Sequence, residues 1–118
     1  MLAAGSTARL AYALGLLLAP DAMSVRRLAA QHHTAVGRMT TRAFGAVHIN
    51  VALLSLRAAL LDRDVRMALA LNVGCEFGDL VATLLEWRNG DLAIAAVARS
   101  AVVQSTGMAI WITALRAV

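Results

Sequence analysis

One apolar segment, residues 65–87, has the sequence VRMALALNVGCEFGDLVATLLEW. Its polar side chains are separated by 4, 3 and 4 residues and are Asn72, Glu76, Asp79 and Thr83. At about 100° per residue, these spacings place all of them on one face of an α-helix. The opposite face carries Gly74 and Gly78, a GxxxG pair that lets a second helix approach closely. The segment therefore predicts an apolar helix with one polar face and one small-residue face.

The composition of the whole chain predicts that this helix lies in lipid. Of the 118 residues, 60% are hydrophobic and only 15% are charged, and the mean hydropathy is +0.70. A soluble domain usually has about 45–50% apolar and about 25% charged residues. Because a small soluble domain buries only a limited fraction of its surface, the excess apolar surface requires lipid or a large obligate oligomer, and we expect it to face a bilayer.

Short polar turns divide the chain into apolar segments of membrane-spanning length. The predicted helices cover residues 2–19, 37–60, 65–87 and 92–117. Each is close to the ~20 residues that cross a bilayer. Pro20 is expected to end the first helix, and residues 22–30 predict a short helix in the membrane interface. The sequence thus predicts an all-α, single-domain, up-down-up-down bundle of four transmembrane helices.

The charge pattern argues against several classes of function. The net charge is +4, but the basic residues are all arginine and are scattered among apolar runs, so no nucleic-acid surface is expected. Arginine near helix ends suits phospholipid head groups instead, although its even spread leaves the orientation open. Cys75 has no second cysteine, and His32-His33 has no nearby ligand. We therefore predict no metal and no cofactor.

The other predicted helices also carry polar side chains on one face. These are Tyr12 in the first helix, Arg42 and His48 in the second, and Arg99, Gln104 and Trp111 in the fourth. Depth can be counted from the turns at 1.5 Å per residue. This count places Tyr12, His48, Glu76, Asp79 and Arg99 at one level of the bundle, with Arg42 close enough to reach inward.

Two interpretations of this level follow from its chemistry. In the structural one, Arg42 and Arg99 neutralise the two carboxylates, while His48, Asn72, Gln104 and Tyr12 supply hydrogen bonds that lipid lacks. In the catalytic one, Glu76, Asp79 and His48 act as general acid and base, as in an isomerase or cyclase working on an isoprenoid or lipid-like substrate.

Binding is the third interpretation and is our prediction for the chain's function. In this interpretation the chain is a small polytopic membrane protein with a buried acid/base cluster, and it binds a lipophilic small molecule or a membrane-protein partner. The predicted ligand-binding residues are Tyr12, Arg42, Asn72, Arg99, Gln104 and Trp111. A proton-coupled transporter that works as a homodimer through Gly74 and Gly78 is an alternative. Whether the protein is an enzyme stays open.

Two short motifs resemble a known group of proteins. The segment Thr41-Arg42-Ala43-Phe44-Gly45, followed by an apolar run to Leu56, resembles small bacterial membrane proteins of the DoxX-like type. The segment Cys75-Glu76-Phe77-Gly78-Asp79-Leu80 is similar to a small-Asp-Leu segment of other four-helix families. The resemblance implies a four-helix fold in the bacterial inner (plasma) membrane, and it assigns no catalytic residue.

Overall fold

The structure is a computed structural model that describes residues 1–27, 35–90 and 92–118. These ranges are almost entirely α-helical and contain no strand. The helices are α1 (Leu2–Leu18), α2 (Pro20–Arg27), α3 (Ala35–Leu61), α4 (Val65–Arg88) and α5 (Ile94–Arg116). The all-α prediction is confirmed, and the long helices match the four predicted segments to within two residues at each end.

The region around Pro20 differs from the prediction. Helix α1 ends at Leu18, and Pro20 is the first residue of α2. Proline is well tolerated in the first turn of a helix, where its missing N–H has no partner to lose. The short second helix thus begins two residues before the predicted 22–30 segment. The end of that segment and the His32-His33 pair lie outside the described residues.

Helices α1 and α3 form the first helix pair and run antiparallel. A Cβ atom at Gly45 would lie 2.9 Å from the carbonyl oxygen of Ala13, so the two backbones approach closely there. One turn earlier in α3, Nε of Arg42 donates to the carbonyl oxygen of Leu17 at 3.2 Å. Residue numbers therefore fall along α1 as they rise along α3.

Helices α4 and α5 form the second helix pair, which is also antiparallel. Gly107 of α5 lies against Glu76, and Gln104 donates to the Thr83 hydroxyl at 3.3 Å. The two pairs meet at a junction where the Trp111 ring packs on Gly5 of α1. A small buried core lies at this junction and consists of Leu2, Ala58, Ala68, Leu69 and Trp111.

Many large apolar side chains are exposed, and several polar side chains are buried. Large apolar side chains lie on the outside, with Leu18 75% and Leu60 80% exposed, while Arg9, His48 and Asn72 are buried. Contiguous apolar surface of this kind marks a membrane or protein interface.

By length and composition, two helical segments in the described part of the chain could cross a membrane, Gly37–Leu61 and Val65–Arg88. Only 33% and 17% of their apolar windows are buried inside the protein, whereas the core helix of a soluble protein is mostly buried.

Candidate functional site

Four ionisable side chains from three helices meet at the junction of the two helix pairs. Arg9 of α1 places Nη1 2.8 Å from Nδ1 of His48, and its Nη2 donates to Oε1 of Glu76. On the other side of the imidazole, Nε2 of His48 lies 3.4 Å from Oδ2 of Asp79. The contacts form a continuous series, Glu76–Arg9–His48–Asp79, which we call the polar cluster.

The hydrogen bond from Arg9 fixes the protonation state of His48. A guanidinium only donates hydrogen bonds, so Nδ1 of His48 must accept. The imidazole is therefore neutral and carries its hydrogen on Nε2, which faces Asp79. The ring of Phe44 packs beside the imidazole with a centroid distance of 4.2 Å. Both ring nitrogens of His48 are thus engaged within the cluster.

Helix packing holds the cluster away from solvent. Arg9 and His48 are 8% and 4% exposed, and the side chains of Glu76 and Asp79 are 15% and 16% exposed. The two carboxylates share one face of α4 because they are three residues apart. Gly107 allows α5 to approach, since a Cβ atom there would lie 3.0 Å from Cδ of Glu76. At such burial, the ion pair between Arg9 and Glu76 matters because either charge alone would be costly.

The polar cluster lines part of a cavity of about 490 Å³ that is bordered by residues of α1, α3, α4 and α5. The polar lining residues are Arg9, Tyr12, His48, Glu76 and Asp79, and the apolar ones include Met1, Val103, Ile110 and Trp111. Small-molecule sites usually occupy about 300–1,000 Å³ and combine apolar walls with a few polar groups. A second cavity, of about 110 Å³, lies beside the α3–α4 turn and is lined by none of the cluster residues.

The structure brings together only part of the predicted site. His48, Glu76 and Asp79 converge, and Tyr12 and Trp111 line the same cavity. The two predicted amide ligands lie elsewhere. Nδ2 of Asn72 donates to the Ser55 hydroxyl at 2.8 Å between α3 and α4, and Gln104 bonds to Thr83 between α4 and α5. These amides connect helices and do not line the cavity.

The predicted arginine partners are not the ones that the structure places in the cluster. Nε of Arg42 donates to the Leu17 carbonyl, and Nε of Arg99 donates to the Ala95 carbonyl of its own helix at 3.4 Å. Both side chains are exposed, and Arg9 pairs with Glu76 in their place. A sequence signal for Arg9 existed, because spacings of 4 and 3 put it on one face with Gly5 and Tyr12.

The GxxxG face of α4 has no neighbour within the described part of the chain. A Cβ atom at Gly74 or Gly78 would meet nothing within 4 Å. The predicted homodimer through these glycines therefore has an open surface available, and the dimer itself stays a prediction.

Comparison with known proteins gives no relative from which a function can be taken. No protein-family model, curated protein or solved structure matches the chain. The DoxX-like resemblance of residues 41–45 and 75–80 therefore stays a prediction. A function is inferred from the polar cluster and the cavity.

Proposed function

We propose that this chain is a small polytopic membrane protein that binds a lipophilic molecule with a polar end. The observation that carries the proposal is the composition of the cavity, whose lining combines the charged groups of the polar cluster with apolar side chains. The polar end of a ligand would meet the polar cluster, and its apolar body would lie against Ile110 and Trp111. An amphiphilic ligand would match both the polar and the apolar lining residues, whereas a purely polar or purely apolar molecule would match only one of these groups.

The proposal includes a transmembrane arrangement of all four long helices in a bacterial inner membrane. The two antiparallel pairs support an up-down-up-down order, in which α1, α3, α4 and α5 each cross once. Their lengths are 17, 27, 24 and 23 residues. Spanning helices have about 17–25 residues, and longer ones fit by tilting. Extraction of native vesicles with carbonate tests the location, because an integral protein stays with the membrane fraction.

The geometry favours binding over catalysis by His48. A general base needs a ring nitrogen within reach of the proton that it abstracts. One nitrogen of His48 accepts from Arg9 and the other faces Asp79, so neither is directed at a ligand in the cavity. The acid/base alternative would rest on Glu76 and Asp79 alone.

Tryptophan fluorescence offers a direct test, because only one of the two tryptophans lines the cavity. Trp111 is 6% exposed and lines the cavity, whereas Trp87 is 47% exposed near the end of α4. The probe is 12-bromododecanol, a long-chain alcohol whose bromine quenches indole on contact, added to phosphatidylcholine nanodiscs. In Trp87→Phe, quenching of Trp111 should saturate with rising probe. In Trp111→Phe, quenching of Trp87 should rise in proportion to the probe in the bilayer.

A neighbouring pair of valines supplies the control. Val103 lines the cavity and Val102 does not, although both valines are more than half exposed. In the Trp87→Phe background, Val103→Phe should fill part of the cavity and weaken the saturable quenching at least fivefold, while Val102→Phe should leave it unchanged. Proportional quenching of both tryptophans would overturn the proposed binding site.

A further inference from the structure

We infer that the cavity selects a lipophilic cation, such as an alkylammonium ion, over neutral or anionic molecules with the same apolar chain. The inference rests on the proposed function and names the class of its ligand. It follows from the placement of the Asp79 carboxylate, next to a neutral imidazole and beside a cavity that also holds Trp111.

The charges of the polar cluster do not balance. Arg9 contributes one positive charge, and its two terminal nitrogens are directed at His48 and Glu76. Because Nδ1 of His48 accepts from Arg9, the imidazole contributes no charge. Glu76 is compensated by Arg9, which leaves the negative charge of Asp79 without a cationic partner within the cluster.

Among the described residues that line the cavity, Arg9 has the only cationic side chain. Helix α5 lines it with Val103, Gly107, Ile110 and Trp111, none of which is ionisable. The amino group of Met1, the residue before α1, also belongs to the cavity lining and lies eight residues before Arg9. At 1.5 Å per residue, it lies roughly 12 Å along the helix from the cluster. Asp79 therefore carries the uncompensated negative charge among the described side chains that line the cavity.

Two physical arguments favour a cation at this place. An uncompensated charge in a low-dielectric site is costly, so a ligand that neutralises it gains interaction energy that a neutral ligand lacks. An anion would instead be repelled by Asp79. Indole rings also attract cations over their faces, and aromatic side chains often recognise quaternary ammonium groups. Trp111 and Tyr12 line the same cavity as Asp79.

Competition against 12-bromododecanol tests the inference in the Trp87→Phe protein without further substitution. The competitors are dodecyltrimethylammonium, dodecanol and dodecanesulfonate, which share the chain length and differ in charge. Their bilayer concentrations are measured directly, in zwitterionic phosphatidylcholine. The ammonium ion should restore Trp111 fluorescence at a concentration at least tenfold lower than dodecanol, and the sulfonate should be the weakest. Equal potency of the cation and the alcohol would overturn the inference.

Substitutions of two aspartates test whether the preference for a cation comes from Asp79. Asp79→Asn should reduce the advantage of the cation over dodecanol, measured as the ratio of their displacing concentrations, to twofold or less. Asp64→Asn, at the exposed α3–α4 turn, should keep the full advantage. A cation preference that survives Asp79→Asn would overturn the role given to this carboxylate. Failure of the proposed function would look different, because no saturable quenching by 12-bromododecanol would then exist to compete against.

Discussion

The first helix pair is closely packed at Gly45, whereas its junction with the second pair combines a small apolar core with buried polar side chains. Between α1 and α3, Gly45 lies against the Ala13 backbone, and both the glycine and the alanine are buried. At the junction, Arg9 joins His48 to Glu76, and Asn72 bonds to Ser55. In lipid, burying apolar surface between helices gains little, so helices associate through close packing and hydrogen bonds. In this protein, close packing joins α1 to α3 at Gly45, and side-chain hydrogen bonds join the two helix pairs at their junction.

The α1–α3 contact and the junction between the helix pairs therefore have different roles. Close packing brings the backbones of α1 and α3 together at Gly45. The junction, by contrast, combines fixed charges with a cavity of about 490 Å³. A site needs both a rigid support and empty volume beside polar groups. The first pair therefore supplies the support, and the junction supplies the site.

The largest effect is expected from removing the charge of Arg9. Arg9→Gln leaves Glu76 without its cation, and breaking a buried ion pair costs about 3–5 kcal/mol. The free energy of unfolding, measured by SDS titration in dodecylmaltoside micelles, should fall by that amount. Arg99→Gln is the matched control, because Arg99 is exposed and bonds only to its own helix among the described contacts. It should change stability by less than about 0.5 kcal/mol.

A second variant separates charge from packing at the same position. If the uncompensated carboxylate of Glu76 causes the loss, adding Glu76→Gln to Arg9→Gln should recover a large part of it. Similar unfolding free energies for Arg9→Gln and Arg99→Gln would contradict the view that the Arg9–Glu76 pair connects the helix pairs.

The next largest effect should come from the close approach within the first helix pair. Gly45→Ala adds a methyl group 2.9 Å from the Ala13 carbonyl oxygen, and overpacking against a backbone costs about 1–3 kcal/mol. Gly74→Ala makes the same change where no atom lies within 4 Å. It should stabilise the monomer by up to about 1 kcal/mol through helix propensity.

The same two glycine variants bear on the predicted dimer. If Gly74 lies in a homodimer contact, Gly74→Ala should lower the dimer fraction in cross-linking experiments, whereas Gly45→Ala should not do so selectively. Equal stability of the two alanine variants in the monomer would contradict the contrast between the closed α1–α3 contact and the open face of α4.

The helices were predictable because their signals are local. Residues 65–87 were predicted and α4 spans Val65–Arg88, since hydropathy and the flanking turns fix such bounds. The polar face of α4 was predictable for the same reason, because a spacing of three residues places Glu76 and Asp79 together in any α-helix. Nothing about the neighbouring helices was needed for either prediction.

The partners across the junction were not predictable in the same way. Which guanidinium meets Glu76 depends on the relative height and rotation of α1 and α4, and neither is encoded in the period of a single helix. Depth and helix face favour Arg42 and Arg99 as partners of the carboxylates, yet Nε of Arg42 donates to the Leu17 carbonyl. The contact of Trp111 with Gly5 is another long-range feature of this type. Local patterns identify candidates for a site, whereas the packing of the helix pairs selects among them.

The smallest effect should come from the Asn72–Ser55 hydrogen bond, which tests whether polar contacts away from the cavity also hold the junction. A double-mutant cycle of Asn72→Ala and Ser55→Ala should give a coupling energy of about 0.6–1 kcal/mol, typical of a hydrogen bond between membrane helices. The matched cycle uses Asn50→Ala, because Asn50 is exposed and bonds to Ala46 of its own helix. Its coupling to Ser55 should be close to zero. If the Asn72 cycle also gives a coupling energy of zero, the second helix pair is held against the first mainly by the Arg9–Glu76 ion pair and by Trp111.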